Sequence, residues 1–170
     1  MPDPLDSSHK FASLLKQLHQ SPDNPALQQE LVRSLPEMKA LAKVNSLAQY
    51  RLAQIHSPTS PQYKQMMRQA ANMGCTNAML ALSEVLLKST VPADLKTAAH
   101  YMVLIGRSQD SYILKQSSAL LEAHPELAVL MKAEAKSSLK SESYNTVHGF
   151  FAHSGRNAIQ ELAVQNQPAL

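Results

Sequence analysis

The stretch Ala48–Leu82 reads AQYRLAQIHSPTSPQYKQMMRQAANMGCTNAMLAL. It opens on Ala48-x-Tyr50-x-Leu52-Ala53, and thirty residues on a similar arrangement returns as Ala78-x-Leu80-x-Leu82-Ser83. Between the two, Tyr63, Met66, Met67, Ala70 and Ala71 recur at intervals of three and four, which places them on one face of an α-helix. Ser60 can cap that helix, Pro61 can open it, and Gly74 supplies the left-handed residue that stops it. Thr76 then starts another. Small residues at fixed places let paired helices approach closely, so the stretch reads as a helix hairpin followed by the start of a second. A helical unit repeating after a few tens of residues is the mark of a stacked array.

Toward the N-terminus, residues 1 to 8 read as a loose leader, with Ser7 or Ser8 capping a helix whose Phe11, Leu14, Leu15 and Leu18 form an apolar stripe. Asn24-Pro25 opens a second helix with Leu27, Leu31 and Leu35 on one face, and Pro36 is expected to end it. From Glu37 to Ile55, the positions Leu41, Val44, Ala48, Leu52 and Ile55 trace the seam of one long helix.

Toward the C-terminus, Ala78, Leu82, Val85 and Leu86 share a helix face, and the next helix carries Ala98, Tyr101, Met102 and Ile105, with Gly106 as its expected stop. Ser108 or Asp110 caps a helix holding Ile113, Leu120 and Leu121. His124-Pro125 leads to another with Leu127, Leu130, Met131 and Leu139. Ser137 to Ser143 reads as a linker or a frayed helix end, Val147, Phe150 and Phe151 as an apolar patch, and Ala158, Ile159, Leu162 and Ala163 as a last amphipathic helix.

The block from Ala48 to Leu82 resembles the Sel-one-like repeat, a tetratricopeptide relative built as an Ala-x-Tyr-x-Leu-Gly helix, a loop, and a helix ending in Ala-Ala-x-x-Gly-x-x-x-Ala. A weaker second unit runs from Ala78 to about Ile113, where Asp94-x-Lys96-x-Ala98-Ala99-x-Tyr101 is similar to the start of the family's second helix. Ala53 and Ser83 stand where the family has glycine, the loop Ser57 to Ser60 is short, and Asp110 replaces the closing alanine. The resemblance implies an all-α chain of stacked antiparallel helix hairpins, with N-terminal helices over 1–36, a repeat core over 37–124, and C-terminal helices and a tail over 125–170. It also implies an adaptor that holds a partner protein, and it brings no catalytic residues.

Composition agrees with a helical fold and narrows the function. Apolar content is carried by Leu, Ala and Met, and four glycines in 170 residues leave little provision for the tight turns of a β-rich fold. The net charge of +3 comes from scattered Lys and Arg rather than a basic block, and the chain has no Trp, so nucleic-acid binding is disfavoured. With one cysteine, no internal disulfide can form, which suits a reducing compartment. The acidic, polar N-terminus lacks the form of a secretory signal, and no apolar run is long enough to span a membrane. Cytoplasm is the expected location. Delivery into a host cell by a signal-peptide-independent route is a conjecture, drawn from the use of Sel-one-like modules in effectors of intracellular bacteria.

Candidate chemistry is sparse. The seven histidines include no HExxH pair, and the five-residue separation of His148 and His153 is not a single-face metal pair, so no metal or cofactor is expected. Cys75 falls near a helix start, where a dipole favours thiolate, but no His or acid is positioned beside it and a buried thiol is the simpler reading. Met66, Met67, Met73, Met79 and Met102 share the spacing of the core positions, so packing is favoured over an adaptable binding surface. The residues expected to meet a partner are Arg51, Lys64, Arg68 and His100. Lys64 and Arg68 lie one turn apart and suit an acidic partner, although a solvated face also accounts for them. The competing readings are an enzyme whose site involves Cys75 or His100, and weak nucleic-acid binding through dispersed Lys and Arg.

Overall fold

Asn24 sits in an extended conformation and its side-chain oxygen accepts from the N–H groups of Ala26 and Leu27, so that Pro25 opens a helix with its missing donor in the one place where none is needed. The same local logic recurs along the computed structural model of the chain, which describes residues 4–140. The elements are α1 (Pro4–Gln20), α2 (Pro25–Ala42), α3 (Ser46–Ala53), α4 (Pro61–Asn72), α5 (Thr76–Leu86), α6 (Pro92–Arg107) and α7 (Ser111–Ala123), and a further helix begins at residue 126. No strand occurs among the described residues. Ser60 Oγ accepts from Tyr63 N–H at 3.1 Å, and Asp110 Oδ1 accepts from Ile113 N–H at 3.1 Å. Asp110, not Ser108, is thus the cap of α7.

Gly74, at φ +92°, ends α4 as its sequence predicts. The Cys75 N–H donates to the Ala70 carbonyl and the Gly74 N–H to the Ala71 carbonyl, the paired bonds of a Schellman stop. The next helix can therefore begin within three residues.

Three expectations are corrected. Pro36 does not end a helix: α2 runs through it to Ala42, and a boundary drawn at 36/37 falls inside that helix. The lost N–H would have bonded the carbonyl of Val32, a residue on the exposed side of the helix (65% exposed), while Met38 and Ala42 beyond the proline are buried. Nor is 37–55 one helix. The chain reverses at residues 43–45, Asn45 Oδ1 accepts from Ala48 N–H at 2.9 Å to start α3, and Val44 stands outside the seam, 82% exposed. Gly106 is not a stop either. It lies within α6 without a positive φ, and Ser108, in extended conformation, follows the last helical residue.

The expected leader is also helical from Pro4 onward. The patch at Val147, Phe150 and Phe151 and the helix at 158–163 lie outside the described residues. So does the end of the Ser137–Ser143 stretch, whose residues 137–140 are helical.

Contacts divide the chain into Met1–Met131 and Lys132–Leu170. In the first unit each helix from α1 to α7 packs on the next, through connections of three to seven residues. Further contacts join α1 to α3, α3 to α5 and α5 to α7, and no comparable contact joins the even-numbered helices. Two apolar clusters hold this unit. Phe11, Leu15, Met38, Ala42, Ala48 and Leu52 tie α1 and α2 to α3. The larger cluster runs from Ala53 through Met67, Leu82 and Ile105 to Leu127, and half-buried Met66 packs against both. In the second unit, residues 132–140 are helical.

The small residues of the quoted stretch lie where helices meet. Ala48, Ala53, Ala70 and Ala78 have no exposed surface. Ser83 is fully buried and its hydroxyl donates to the Met79 carbonyl at 2.8 Å, 3.5 Å from the Ala98 carbonyl of α6. Met67, Met79 and Met102 are core residues, whereas Met73 is 41% exposed.

Candidate partner-binding surface

The eight residues of α3 have two faces. Ala48, Leu52 and Ala53 are buried inward, while Leu47, Tyr50 and Arg51 are half-buried on the other side. Tyr50 lies close enough to Arg51, Cys75 and Glu84 to feel their charges. Burial is the main reason its phenol is pushed above the ordinary value, with Cys75 and Glu84 adding and Arg51 opposing. Tyr63, at the start of α4, is pushed up to about 12, first by burial and then by Tyr50 and Glu84. Both rings therefore remain neutral hydrogen-bonding groups through the physiological range.

The four residues expected to meet a partner occupy three helices. Arg51 is committed: its guanidinium donates to Ser8 Oγ at 2.6 Å, fastening α1 to α3, and burial lowers its pKa. Lys64 is half-buried and Arg68 exposed, both on α4. His100, half-buried on α6, meets the ring of Tyr101 edge-on with centroids 5.7 Å apart, and the Tyr101 hydroxyl donates to Asn72 Oδ1 at 3.3 Å.

Cys75 is buried at the N-cap of α5. Burial pushes its thiol up, outweighing the Ala78 and Asn77 N–H groups that favour thiolate. Thr76 beside it donates to Asp110 Oδ2 at 3.1 Å, so Asp110 both caps α7 and ties it to the start of α5.

Three of the grooves among α1 to α4 are lined from more than one element. One of about 510 Å³ between α1 and α2 has Phe11, Leu14 and Met38 among its apolar walls, and Lys10, Glu30, Arg33 and Glu37 also line it. Another, of about 410 Å³, is lined by Lys39, Lys43, Asn72 and Met73 and by Gln49 and Gln69, whose side chains share a 2.8 Å hydrogen bond. The third, of about 500 Å³, lies where α1, the α3–α4 connection and the start of α4 converge. It is lined by Lys16, His19, Gln54, His56 and Tyr63 with apolar Ala12, Leu15 and Pro58. None of Arg51, Lys64, Arg68 or His100 lines these grooves. Groove residues come from stretches tens of residues apart, and no local spacing announces them.

Among the described residues, no group of three or more His, Cys, Asp or Glu is placed to hold a metal ion, and no helix is long and apolar enough to cross a membrane. The fold and its surface define a class no narrower than an all-helical chain of consecutively packed helices. No protein-family model, no curated protein and no solved structure matches the chain.

Proposed function

We propose that this chain is an adaptor that binds a partner protein through Sel-one-like helix hairpins between about Glu37 and Glu122, rather than an enzyme. The observation that carries this reading is the row of contacts joining α1, α3, α5 and α7, which brings side chains from four separate stretches onto neighbouring helices. A partner helix or extended segment gains many weak contacts on such a surface without a deep pocket. Burial of Ala48, Ala53, Ala70, Ala71 and Ala78 at the helix packing surfaces supports the repeat assignment. Lys64 and Arg68 of α4 are the contacts for an acidic partner and His100 of α6 adds a polar one, on helices that pack between members of that row; Arg51 of α3 fastens α1 to it.

The test is capture with cross-linking from the native lysate, comparing the full chain with a Lys64→Glu/Arg68→Glu variant of unchanged helical circular dichroism. The expected result is a discrete partner retained by the first and lost by the second. Identical retention by both, or by an unrelated helical bait, refutes the assignment. We place the folded protein in the cytoplasm, with delivery into a host cell as an extension of the reading. A translocation reporter fused to the chain that never appears in host cells refutes that extension.

A further inference from the structure

The groove of about 500 Å³ between α1, the α3–α4 connection and α4 is chemically one-sided. Its polar lining consists of Lys16, His19, Gln20, Gln54, His56 and Tyr63, and no Asp or Glu lines it. Lys16 and His19 come from α1, three positions apart and so on neighbouring positions of one helix face. His56 comes from the connection after α3, and Tyr63 from the first turn of α4. Every one of these side chains can donate a hydrogen bond, and Lys16 carries a fixed positive charge.

The helix ends do not decide the sign. The C-terminal turn of α1 presents the negative end of its dipole and the first turn of α4 the positive end of its own, so the two oppose each other and the side chains prevail. The groove exceeds the size of a simple inorganic anion, and Ala12, Leu15 and Pro58 supply an apolar wall for a carbon skeleton.

We infer that this groove is a binding site for an organic anion, with Lys16, His19 and His56 receiving its carboxylate or phosphate head and Ala12, Leu15 and Pro58 receiving its apolar body. The site goes beyond the adaptor reading and does not depend on it, because a small free anion and an acidic side chain of a partner present the same chemistry. Lys16, His19 and His56 line the groove together, and Tyr63 is the other titratable group lining it.

The test is NMR on the full chain, following the ring C–H signals of its seven histidines, with His19 and His56 assigned through His19→Asn and His56→Asn variants. Phenyl phosphate and phenylacetate serve as anionic probes and benzyl alcohol as the uncharged one. Saturable shifts of His19 and His56 are expected with at least one anion, with His9 and His124 unmoved. The tighter of the two anions assigns the head group. A Lys16→Gln/His56→Gln variant should keep its helical signal and lose the saturable response at His19. If His19 and His56 shift no more than His9 and His124, or respond equally to benzyl alcohol, the site does not exist. If the captured partner of the adaptor is displaced by the same anion, the natural ligand is an acidic group of that partner; retention of the partner with the anion bound assigns a free small molecule.

Discussion

Gly74 and Gly106 show how the same residue type acts oppositely according to backbone conformation. Gly74 holds φ +92°, and a methyl group there would meet nothing within 4 Å. The cost of Gly74→Ala is thus conformational, roughly 1–2 kcal/mol, read as a lowered midpoint of thermal or urea unfolding. Gly106 lies in α6 with equally open surroundings, so Gly106→Ala should stabilise by about 0.5–1 kcal/mol through reduced freedom of the unfolded chain. Equal effects of the two substitutions would contradict the assigned conformations. Tyr63 carries a prediction of pH dependence. Its folded pKa of about 12 lies above the ordinary value of 10.0, so between those values the unfolded chain has released a proton that the folded chain retains. Stability therefore falls as pH rises from 10 toward 12, by about 1–2 kcal/mol after allowance for the wet groove that the ring borders. Tyr63→Phe should flatten this alkaline loss in urea titrations at fixed pH, and an unchanged slope would assign the loss elsewhere.

At the scale of elements, α2 is the instructive case. Proline inside a helix removes one bond and crowds the carbonyl four residues earlier, at a cost of about 3 kcal/mol, and yet α2 passes through Pro36. What holds it is the burial of Met38 and Ala42 against α1 and α3. Replacing Pro36 by Ala restores the N–H without disturbing those contacts, and should raise stability by roughly 1–3 kcal/mol in chemical denaturation. A loss of stability would show that the proline shapes α2 in a way its neighbours require. The caps were legible because they are local: Asn24, Ser60, Asp110 and Gly74 each act on backbone within a few residues. The turn at 43–45 was not, since Val44 continues the apolar spacing of its neighbours and only Asn45, a modest signal, marks the break.

Across the whole first unit, the two clusters differ in size. The one under α1 and α2 has six buried apolar residues among those described, and the one reaching from α3 to Leu127 has eighteen. Local opening follows the apolar contact that must be lost, so amides of α1 and α2 should exchange with deuterium through openings of lower free energy than those of α5 and α6. Met66 and α3 are shared by both clusters, which makes Leu52→Ala a substitution that should lower protection in α1 and α2 more than in α6. Uniform protection across all seven helices would mean that the clusters open as one. The groove lined by Lys16, His19, His56 and Tyr63 belongs to this scale, since its residues meet only through the packing of α1 on α3 and of α3 on α4.

The amino-acid sequence by itself determined the helical class, the caps at Asn24 and Ser60, the stop at Gly74 and the positions where small residues allow close approach. These rest on interactions within a turn or two of chain, and the side chains concerned are adjacent in the text. The tertiary structure alone decided that α2 would continue past Pro36, that Arg51 would reach Ser8, that Asp110 would hold Thr76, and that His19 and His56 would line one groove. Each joins stretches far apart in the chain or is secured by contacts between helices. Burial worth a few kcal/mol is enough to overrule a local preference of the same size.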